Sequence, residues 1–401
     1  MVERSQRLRS PGVRGGDARR GLPRHAGVVI VGGGAIGTSI LFHLCEAGTH
    51  DAVLLERHEL GSGSTSKAAG GVRAQFSDEL NIRIAQRSVR AFEDFARRPG
   101  WEIELEQVGY LFLLTRPSEV EMFRDSVALQ RRLGVPSELL SAARAADLCP
   151  LIDTAGVLAA TFCPTDGHAT PEGVVSGYAT AARELGGHVA TGCELAGIEI
   201  VGGRICGVST TKSEISTDAV ICAAGPWSGR VAALAGVDLP VTPVRRQVLF
   251  TGPLPGLPAR LPMTVDFTSS FYFHREGPGL LMGMSYAGEK PGFSTARSDD
   301  WMPELAAAIA RRAPRMLDAP IRGGWAGLYE LSPDHNALIG EAAHVSRFLY
   351  ATGFSGHGFL QAPGAGEIVR DLFLRRPPFV DVSELSAERF GRRPRPERAI
   401  V

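Results

Sequence analysis

Apolar positions near the start of the chain follow two different periodicities. Residues 28–31 form a short run of Val and Ile, which is typical of a buried parallel strand. Residues 38–47 repeat large aliphatic side chains on one face of a predicted helix, and residues 52–55 form a second apolar run. The order of strand, helix and strand predicts a βαβ unit and therefore an α/β fold class.

A glycine-rich turn joins the first predicted strand to the helix. Its glycines, Gly32, Gly34 and Gly37, have the spacing G-x-G-x-x-G. In a nucleotide-binding unit the first glycine permits a tight turn, the second lets the backbone approach a pyrophosphate, and the third lets helix and strand pack closely. Ala35 and Ile36 lie within this turn, ahead of the predicted helix, whose N-terminal N–H groups and positive dipole end attract phosphate. A glycine-rich turn in some other α/β fold is the alternative.

An acidic residue and a segment of small residues follow the second strand. Glu56 lies 24 positions after Gly32 and can accept hydrogen bonds from a ribose. Residues 57–76 are then rich in Gly, Ser and Ala, whose small side chains let backbone N–H groups reach a ligand. Because an NAD-binding domain normally continues with another helix and strand, this segment favours FAD bound in an extended form. An NAD-only dehydrogenase is the rival interpretation.

Charge and composition exclude several other classes of protein. With 43 basic and 43 acidic side chains, the chain has no bulk basic field to hold a nucleic acid or an anionic membrane. It also contains no apolar run long enough to span a membrane. The six cysteines have no zinc-like spacing, so we expect no metal site and reduced thiols, as in a cytoplasmic protein. Residues 1–26 are rich in Arg and are predicted to be a disordered tail.

Four stretches carry a resemblance that covers residues 27–375. They are residues 32–37, residues 61–76, residues 218–227, which end in Ala-Ala-Gly-Pro-Trp, and residues 324–366, which include Gly-Phe-Ser-Gly-His-Gly-Phe. Through them the sequence resembles the glycine/D-amino acid oxidase-like (DAO) family of FAD-dependent amine oxidoreductases. Within that family it is most similar to sarcosine oxidase β-subunits, monomeric sarcosine oxidase, and proline and opine dehydrogenase subunits.

The resemblance implies a mixed α/β (α+β) architecture of two domains. A Rossmann-like FAD-binding domain of the glutathione-reductase type is expected beside a substrate domain built on an antiparallel sheet. Since chains of this family cross between the domains more than once, both domains are expected to be discontinuous. The expected segments are 27–95, 150–235 and 322–375 for the FAD-binding domain, 96–149 and 236–321 for the substrate domain, and 376–401 for a C-terminal extension.

The resemblance also implies FAD contacts far beyond the first glycine-rich turn. The residues expected to contact the cofactor there are Arg57, Ser64, Thr65, Ser66, Ala69, Gly70, Gly71, Val189, Ala223, Gly225, Trp227, Gly327, Gly353, Gly356, Gly358 and Phe359. In relatives with covalently bound flavin, the tethering cysteine aligns with Gly327 and the tethering histidine with Lys67. FAD is therefore expected to be bound non-covalently.

Three side chains are candidates for the catalytic region. Arg73 lies where the family has a carboxylate-binding arginine. A guanidinium suits that role because it can clamp a carboxylate with two parallel hydrogen bonds. A structural pairing with Asp78 or Glu79 is the alternative. Tyr272 falls near the family's substrate-side tyrosine, although an ordinary cross-strand aromatic residue fits the pattern equally. His357 lies in the glycine-rich loop that the family places beside the flavin ring, and is otherwise an ordinary core or surface histidine. Further pocket candidates are Arg245, Arg246 and Gln247.

The implied reaction is oxidation of the C–N bond of a secondary, N-methyl, cyclic or D-amino acid to an imine, by hydride transfer to flavin N5. The implied partners are a small amine or amino acid, O2 or another electron acceptor, and a partner subunit. Leu281 stands where the oxidases carry a lysine that aids reaction with oxygen, which favours a dehydrogenase. Leu360 stands where they carry a second carboxylate-binding lysine. The alternative function is a catalytically quiet FAD-binding subunit or assembly factor of a larger complex.

Overall fold

Two large β-sheets, built from segments far apart in the sequence, form the frame of the protein. The computed structural model describes residues 21–391 and 396–400. The helices are α1 Ala35–Glu46, α2 Glu79–Glu93, α3 Pro117–Arg132, α4 Ala142–Leu148, α5 Pro171–Glu184, α6 Ser228–Ala233, α7 Met302–Arg312 and α8 Gly358–Phe373. Among the described residues, no helix is long and apolar enough to cross a membrane.

The strands alternate with these helices in the first half of the chain and cluster in the second half. They are β1 Val28–Val31, β2 Ala52–Leu55, β3 Gly71–Val72, β4 Tyr110–Leu114, β5 Glu138–Leu140, β6 Ala159–Cys163, β7 Gly167–His168, β8 His188–Ala190, β9 Leu195–Val201, β10 Arg204–Thr210, β11 Glu214–Ser216, β12 Val220–Cys222, β13 Thr242–Thr251, β14 Met263–Asp266, β15 Phe271–Glu276, β16 Gly279–Met284, β17 Ile321–Leu331, β18 Leu338–Glu341 and β19 Phe348–Thr352.

The first sheet is the parallel sheet that the βαβ pattern predicts. Its order is β18-β19-β12-β1-β2-β8, and its neighbours run parallel except for the pair β18 and β19. Every residue of β1 and β2 is buried, which explains their unbroken apolar runs. Helices α1, α5 and α8 pack together over this sheet, so the glycine-rich turn between β1 and α1 opens at its carboxyl edge. The α/β fold class is confirmed.

The second sheet has eight strands in the order β17-β13-β16-β15-β14-β4-β6-β5. Its neighbours are antiparallel except for the parallel pair β14 and β4. One face packs on α7 through Phe271, Phe273, Met282 and Trp301, all of which are buried. A smaller antiparallel sheet, β11-β10-β9, and the pair β3 and β7 complete the strand pairing.

Two strands cross the domain boundaries expected from the sequence. β6 and β17 lie in segments assigned to the FAD-binding domain, yet β6 pairs with β4 and β17 pairs with β13 in the eight-stranded sheet. The pairing of β17 with β13 extends from Thr242 opposite Leu331 to Thr251 opposite Ile321. These crossings bring a long edge of the second sheet against the nucleotide-binding end of the first.

Both ends of the described chain pack against this frame. The part of the predicted tail at 21–26 is paired, which corrects the expectation of disorder there: Ala26 N–H donates to the Ser216 carbonyl at 2.9 Å, and Ser216 N–H donates to the Arg24 carbonyl at 2.9 Å. Residues 1–20 lie outside the described residues. In the predicted C-terminal extension, Arg389 pairs with Asp334 at 2.7 Å.

Candidate functional site

A cavity of about 710 Å³ extends from the glycine-rich turn to the eight-stranded sheet. Its volume is in the range of small-molecule and cofactor sites. All three predicted catalytic residues line it, and so do all but four of the predicted cofactor contacts. The four that do not are Gly37, Ser66, Val189 and Gly353. The structure therefore brings together residues that are more than 300 positions apart in the sequence.

The glycine-rich turn forms one end of this cavity by close backbone contact. Gly32 has φ +117°, and a Cβ atom on Gly37 would overlap the carbonyl oxygen of Gly32. Gly37 does not line the cavity itself. Its lack of a side chain lets α1 begin immediately after the turn. The N-cap of α1, Gly34, has no side chain, and the Thr65 hydroxyl accepts from Ala35 N–H at 3.1 Å. The N–H groups that follow in the first turn are available to a phosphate.

The Glu56 carboxylate is held at the cavity wall by two backbone donors. Its Oε2 accepts from Gly33 N–H at 2.8 Å, and its Oε1 accepts from His58 N–H at 2.8 Å. Each carboxylate oxygen can accept a second bond, so the group is oriented to accept from a ribose hydroxyl. The N–H groups at the helix start, the crowded glycines and this fixed acceptor fit the ribose and pyrophosphate of a dinucleotide.

The small-residue segment after Glu56 is fixed against β17. Ser64 Oγ donates to the Leu328 carbonyl at 2.6 Å, and Trp325 Nε1 donates to the Lys67 carbonyl at 3.0 Å. Gly327 faces Lys67 so closely that an added Cβ would lie 2.5 Å from the Lys67 Cβ. The two positions aligned with flavin-tethering residues are therefore neighbours on the cavity wall. Neither residue is a cysteine or a histidine, so non-covalent binding remains our prediction.

The loop that enters α8 forms the roof between the two ends. His357 is buried, its ring lies edge-on to Phe76 at 5.0 Å, and burial followed by the charge of Arg73 lowers its pKa well below the usual value. His357 is thus an uncharged residue at the start of the helix. Beside it, Glu330 accepts from Thr352 Oγ1 at 2.8 Å, and burial raises the pKa of Glu330 to about 7.

Three tyrosines line the end of the cavity at the second sheet. Burial raises the pKa of Tyr110 to about 12 and also raises the pKa values of Tyr272 and Tyr329, so all three hydroxyls are neutral. Tyr272 lies on β15 with its hydroxyl against Gly283 of β16, where an added Cβ would be 2.5 Å from the oxygen. Neutral hydroxyls among apolar walls suit an uncharged amine better than an ammonium ion.

Arg73 lies at this end and is largely engaged by backbone carbonyls. It donates to the carbonyl of Gln75 and, at 2.9 Å, to the carbonyl of Ala399, and its guanidinium lies 4.2 Å from the centre of the Phe76 ring. The alternative partners are occupied elsewhere. Asp78 caps α2 by accepting from Leu80 N–H, and Glu79 pairs with Arg83. The carboxylate-binding role of Arg73 remains a prediction.

Several wall residues were missed by sequence reasoning. Phe293 stacks on Trp227 at 5.8 Å between ring centres, while Arg57 lies over Trp227 and Arg230 lies over Phe293. Phe293 is in an irregular loop between β16 and α7, where neither periodicity nor motif marks it. Val189 pairs inside the parallel sheet, and its cofactor contact stays a prediction. Residues 193–196, which follow it, line the cavity.

Comparison with known proteins identifies the family. Residues 27–372 match the family model described as DAO, FAD dependent oxidoreductase. The chain belongs to the DAO family of FAD-dependent oxidoreductases. The family match also confirms the cofactor, FAD, whose nucleotide part fits the cradle described above.

Relatives within the DAO family match most of this chain, and some of them are about twice as long. The structure of L-proline dehydrogenase from P. horikoshii superposes with a TM-score of 0.87 at 32% identity, covering 92% of this chain and 99% of that one. Dimethylglycine dehydrogenase of Rattus norvegicus is 29% identical over 387 residues, or 92% of this chain and 45% of that protein. 4-Methylaminobutanoate oxidase (formaldehyde-forming) of Paenarthrobacter nicotinovorans is 29% identical over 92% of this chain and 46% of that protein. The chain thus spans about half the length of these two curated relatives.

Proposed function

We propose that this DAO-family protein oxidises the C–N bond of a small amino acid whose nitrogen is secondary, N-methylated or part of a ring, or of a D-amino acid. The relatives named for proline, dimethylglycine and 4-methylaminobutanoate support this substrate class. FAD, when bound, supplies the two-electron acceptor for the hydrogen lost beside the nitrogen. The residues of this chain bind and orient the two molecules.

The observation that carries the proposal is the continuity of the cavity. One unbroken space joins the dinucleotide cradle at Glu56 to the tyrosine-lined end at Tyr272. Gly71 and Gly327 also line this space and would hold FAD beside a bound substrate. A single cavity can hold two reactants close together and correctly oriented, and this proximity can account for a large part of the rate enhancement of an enzyme.

The charges at the substrate end favour the reactive form of an amine. Arg73 and Arg246 both line the cavity, and within the described ranges neither forms an ion pair with a carboxylate. Nearby cations lower the pKa of a bound ammonium group, so they favour the neutral amine whose lone pair supports loss of hydride. The same cations attract the carboxylate of an amino acid.

We propose that the electron acceptor is a molecule other than O2. The position at which the oxidases carry the lysine that aids reaction with oxygen is Leu281 in this chain. Leu281 is buried in β16 and does not line the cavity. A dehydrogenase of this kind passes its electrons to a separate carrier or a partner subunit. The free cysteines of the described chain agree with the cytoplasmic location that we propose.

An anaerobic panel of amines tests the proposed function. The FAD-loaded protein is mixed without oxygen with sarcosine, dimethylglycine, L-proline, 4-methylaminobutanoate and D-alanine, and the flavin absorbance is followed. We expect at least one of these to bleach the flavin, and admission of air to restore the colour slowly. A protein that binds FAD and keeps its colour with every amine would contradict the proposal and favour a catalytically quiet FAD-binding subunit.

A further inference from the structure

Two guanidinium groups share the substrate end of the cavity but differ in what already binds them. Arg73 donates to two backbone carbonyls and stacks on Phe76. One of these carbonyls belongs to Ala399, which is buried in a cluster with Phe112 and Val265. Arg73 therefore holds the segment 396–400 in place, and much of its donor capacity is used for that contact.

Arg246 is less committed. Its Nη1 donates to the carbonyl of Arg245 at 3.0 Å, and its Nε is buried without a hydrogen-bond partner among the described residues. Its guanidinium carbon lies 5.2 Å from the centre of the Tyr329 ring. A buried N–H group without an acceptor is unfavourable, so this side chain is one that a ligand with an oxygen anion would stabilise.

The strand register explains why Arg246 alone of its neighbours faces the cavity. Successive side chains of a strand point to opposite faces, and Arg245 turns away to pair with Glu289 at 3.0 Å. Gln247 accepts from Ser298 N–H at 2.9 Å. Arg246 stands opposite Gly327 of β17, a residue of the wall beside the predicted flavin position.

The tyrosines around Arg246 complete a site for an anion. The Arg246 guanidinium lies over the Tyr329 ring, and Tyr272 lines the same cavity. Their neutral hydroxyls are available to donate to a second carboxylate oxygen. Apolar residues Met263, Val265 and Leu360 line the cavity too, so water competes poorly for the same donors.

We propose that Arg246 binds the carboxylate of the substrate and so selects amino acids over amines that lack an acid group. This inference rests on the proposed amine oxidation. It assigns Arg73 a positioning role, in which the arginine fixes the segment 396–400 at the edge of the site. Substrate specificity then depends on an arginine of β13, in the second sheet.

The test is binding of small acids that cannot be oxidised. Acetate and propionate are titrated into the FAD-loaded protein, with propionamide as the uncharged comparison, and the change in flavin absorbance gives each dissociation constant. In Arg246→Met we expect the dissociation constants of the two acids to rise about a hundredfold, as for loss of a desolvated charge pair. The weak binding of propionamide should not change, and Arg246→Lys should restore part of the affinity.

Arg275→Met is the matched control. Arg275 lies on β15 of the same sheet and donates to the carbonyls of Gly277 and Pro258, outside the cavity. Its removal should leave acid binding unchanged, and the FAD content of every variant shows that the fold is intact. If Arg73→Met abolishes acid binding while Arg246→Met retains it, the inference is overturned.

The same titration separates this inference from the proposed function. Acid binding that depends on Arg246 in a protein that no amine reduces would contradict the oxidation and keep the anion site. If amines reduce the flavin but the acids bind equally well with and without Arg246, the oxidation stands and the anion site is contradicted. A wild-type protein that binds neither acid at millimolar concentration would also overturn the inference.

Discussion

The two ends of the cavity are built on different principles. At the nucleotide end the wall is mainly backbone, from Gly32, Gly34 and the first turn of α1. The side chains of Glu56 and Thr65 accept hydrogen bonds from backbone N–H groups there. At the substrate end, side chains from different strands form the wall. Tyr110, Tyr272, Tyr329 and Arg246 come from β4, β15, β17 and β13.

Because of this difference, we expect cofactor binding and substrate specificity to depend on different residues. A cradle made of backbone leaves little room for larger side chains. It can recognise only the ribose and pyrophosphate groups that every dinucleotide has. A wall of side chains on several strands can change one residue at a time without disturbing the cradle. Substitutions at one end should therefore change FAD retention, and substitutions at the other should change the choice and turnover of substrate.

The largest effect is expected from Gly37→Ala at the nucleotide end. The added Cβ would overlap the Gly32 carbonyl oxygen, so α1 could not start where the cradle requires it. We expect FAD affinity to fall by about a hundredfold or more, since close helix–strand packing is lost. The measurement is the flavin-to-protein ratio after gel filtration. Gly292→Ala, at a glycine with nothing within 4 Å of an added Cβ, should retain the wild-type ratio.

Glu56→Leu should weaken FAD binding by a smaller amount. Loss of a charged acceptor for the ribose corresponds to about 2 kcal/mol, or roughly thirtyfold in the dissociation constant. Titration of the flavin-free protein with FAD gives this value. Glu59→Leu removes an exposed acid three positions later and should have no effect. Equal affinities for wild type and Glu56→Leu would show that the carboxylate does not contact the ribose.

Glu330 lies between the two ends and should make stability depend on pH. Its pKa of about 7 in the folded protein is above the ordinary value of 4.5. Its contribution is therefore fully present below pH 4.5 and is lost as the pH rises through 7, because the buried group must then ionise. We expect Glu330→Gln to remove roughly 2 kcal/mol of this decline. Urea unfolding at pH 5 and pH 8 measures it, and parallel declines in both proteins would contradict the assignment.

Gly283→Ala should affect turnover with little change in FAD binding. The added Cβ would lie 2.5 Å from the Tyr272 hydroxyl and must displace that ring within the substrate end. A displaced positioning group should lower kcat/KM for the best amine by about tenfold. Tyr272→Phe keeps the ring and removes the hydroxyl, so comparing the two variants distinguishes the loss of a hydrogen bond from displacement of the ring. Unchanged kcat/KM in both variants would remove Tyr272 from the site.

Sequence reasoning was most informative where binding is local. The glycine spacing at 32–37 and the acid at Glu56 have physical meaning within one βαβ unit, so they indicated the cradle directly. His357 and Tyr272 were reached only through the resemblance, since a lone histidine or an aromatic residue in a strand is usually part of a core. Both line the cavity, although their catalytic roles remain predictions.

The substrate end could not be predicted from patterns because its contacts join distant residues. The bond between Arg73 and Ala399 spans 326 positions, and nothing in the Pro- and Arg-rich end of the sequence indicates it. Tyr110 and Tyr329 look like core aromatics of apolar strands, and Arg246 is one of two adjacent arginines in β13. The structure shows that Arg246 lines the cavity, whereas Arg245 pairs with Glu289.

A crystal structure of the FAD-loaded protein with bound propionate would test the central claim most directly. We predict that one cavity holds both molecules, with the nucleotide on the cradle at Glu56 and the carboxylate on Arg246 beneath Tyr329. Propionate bound outside this cavity, or an FAD ring system far from the His357 loop, would contradict it.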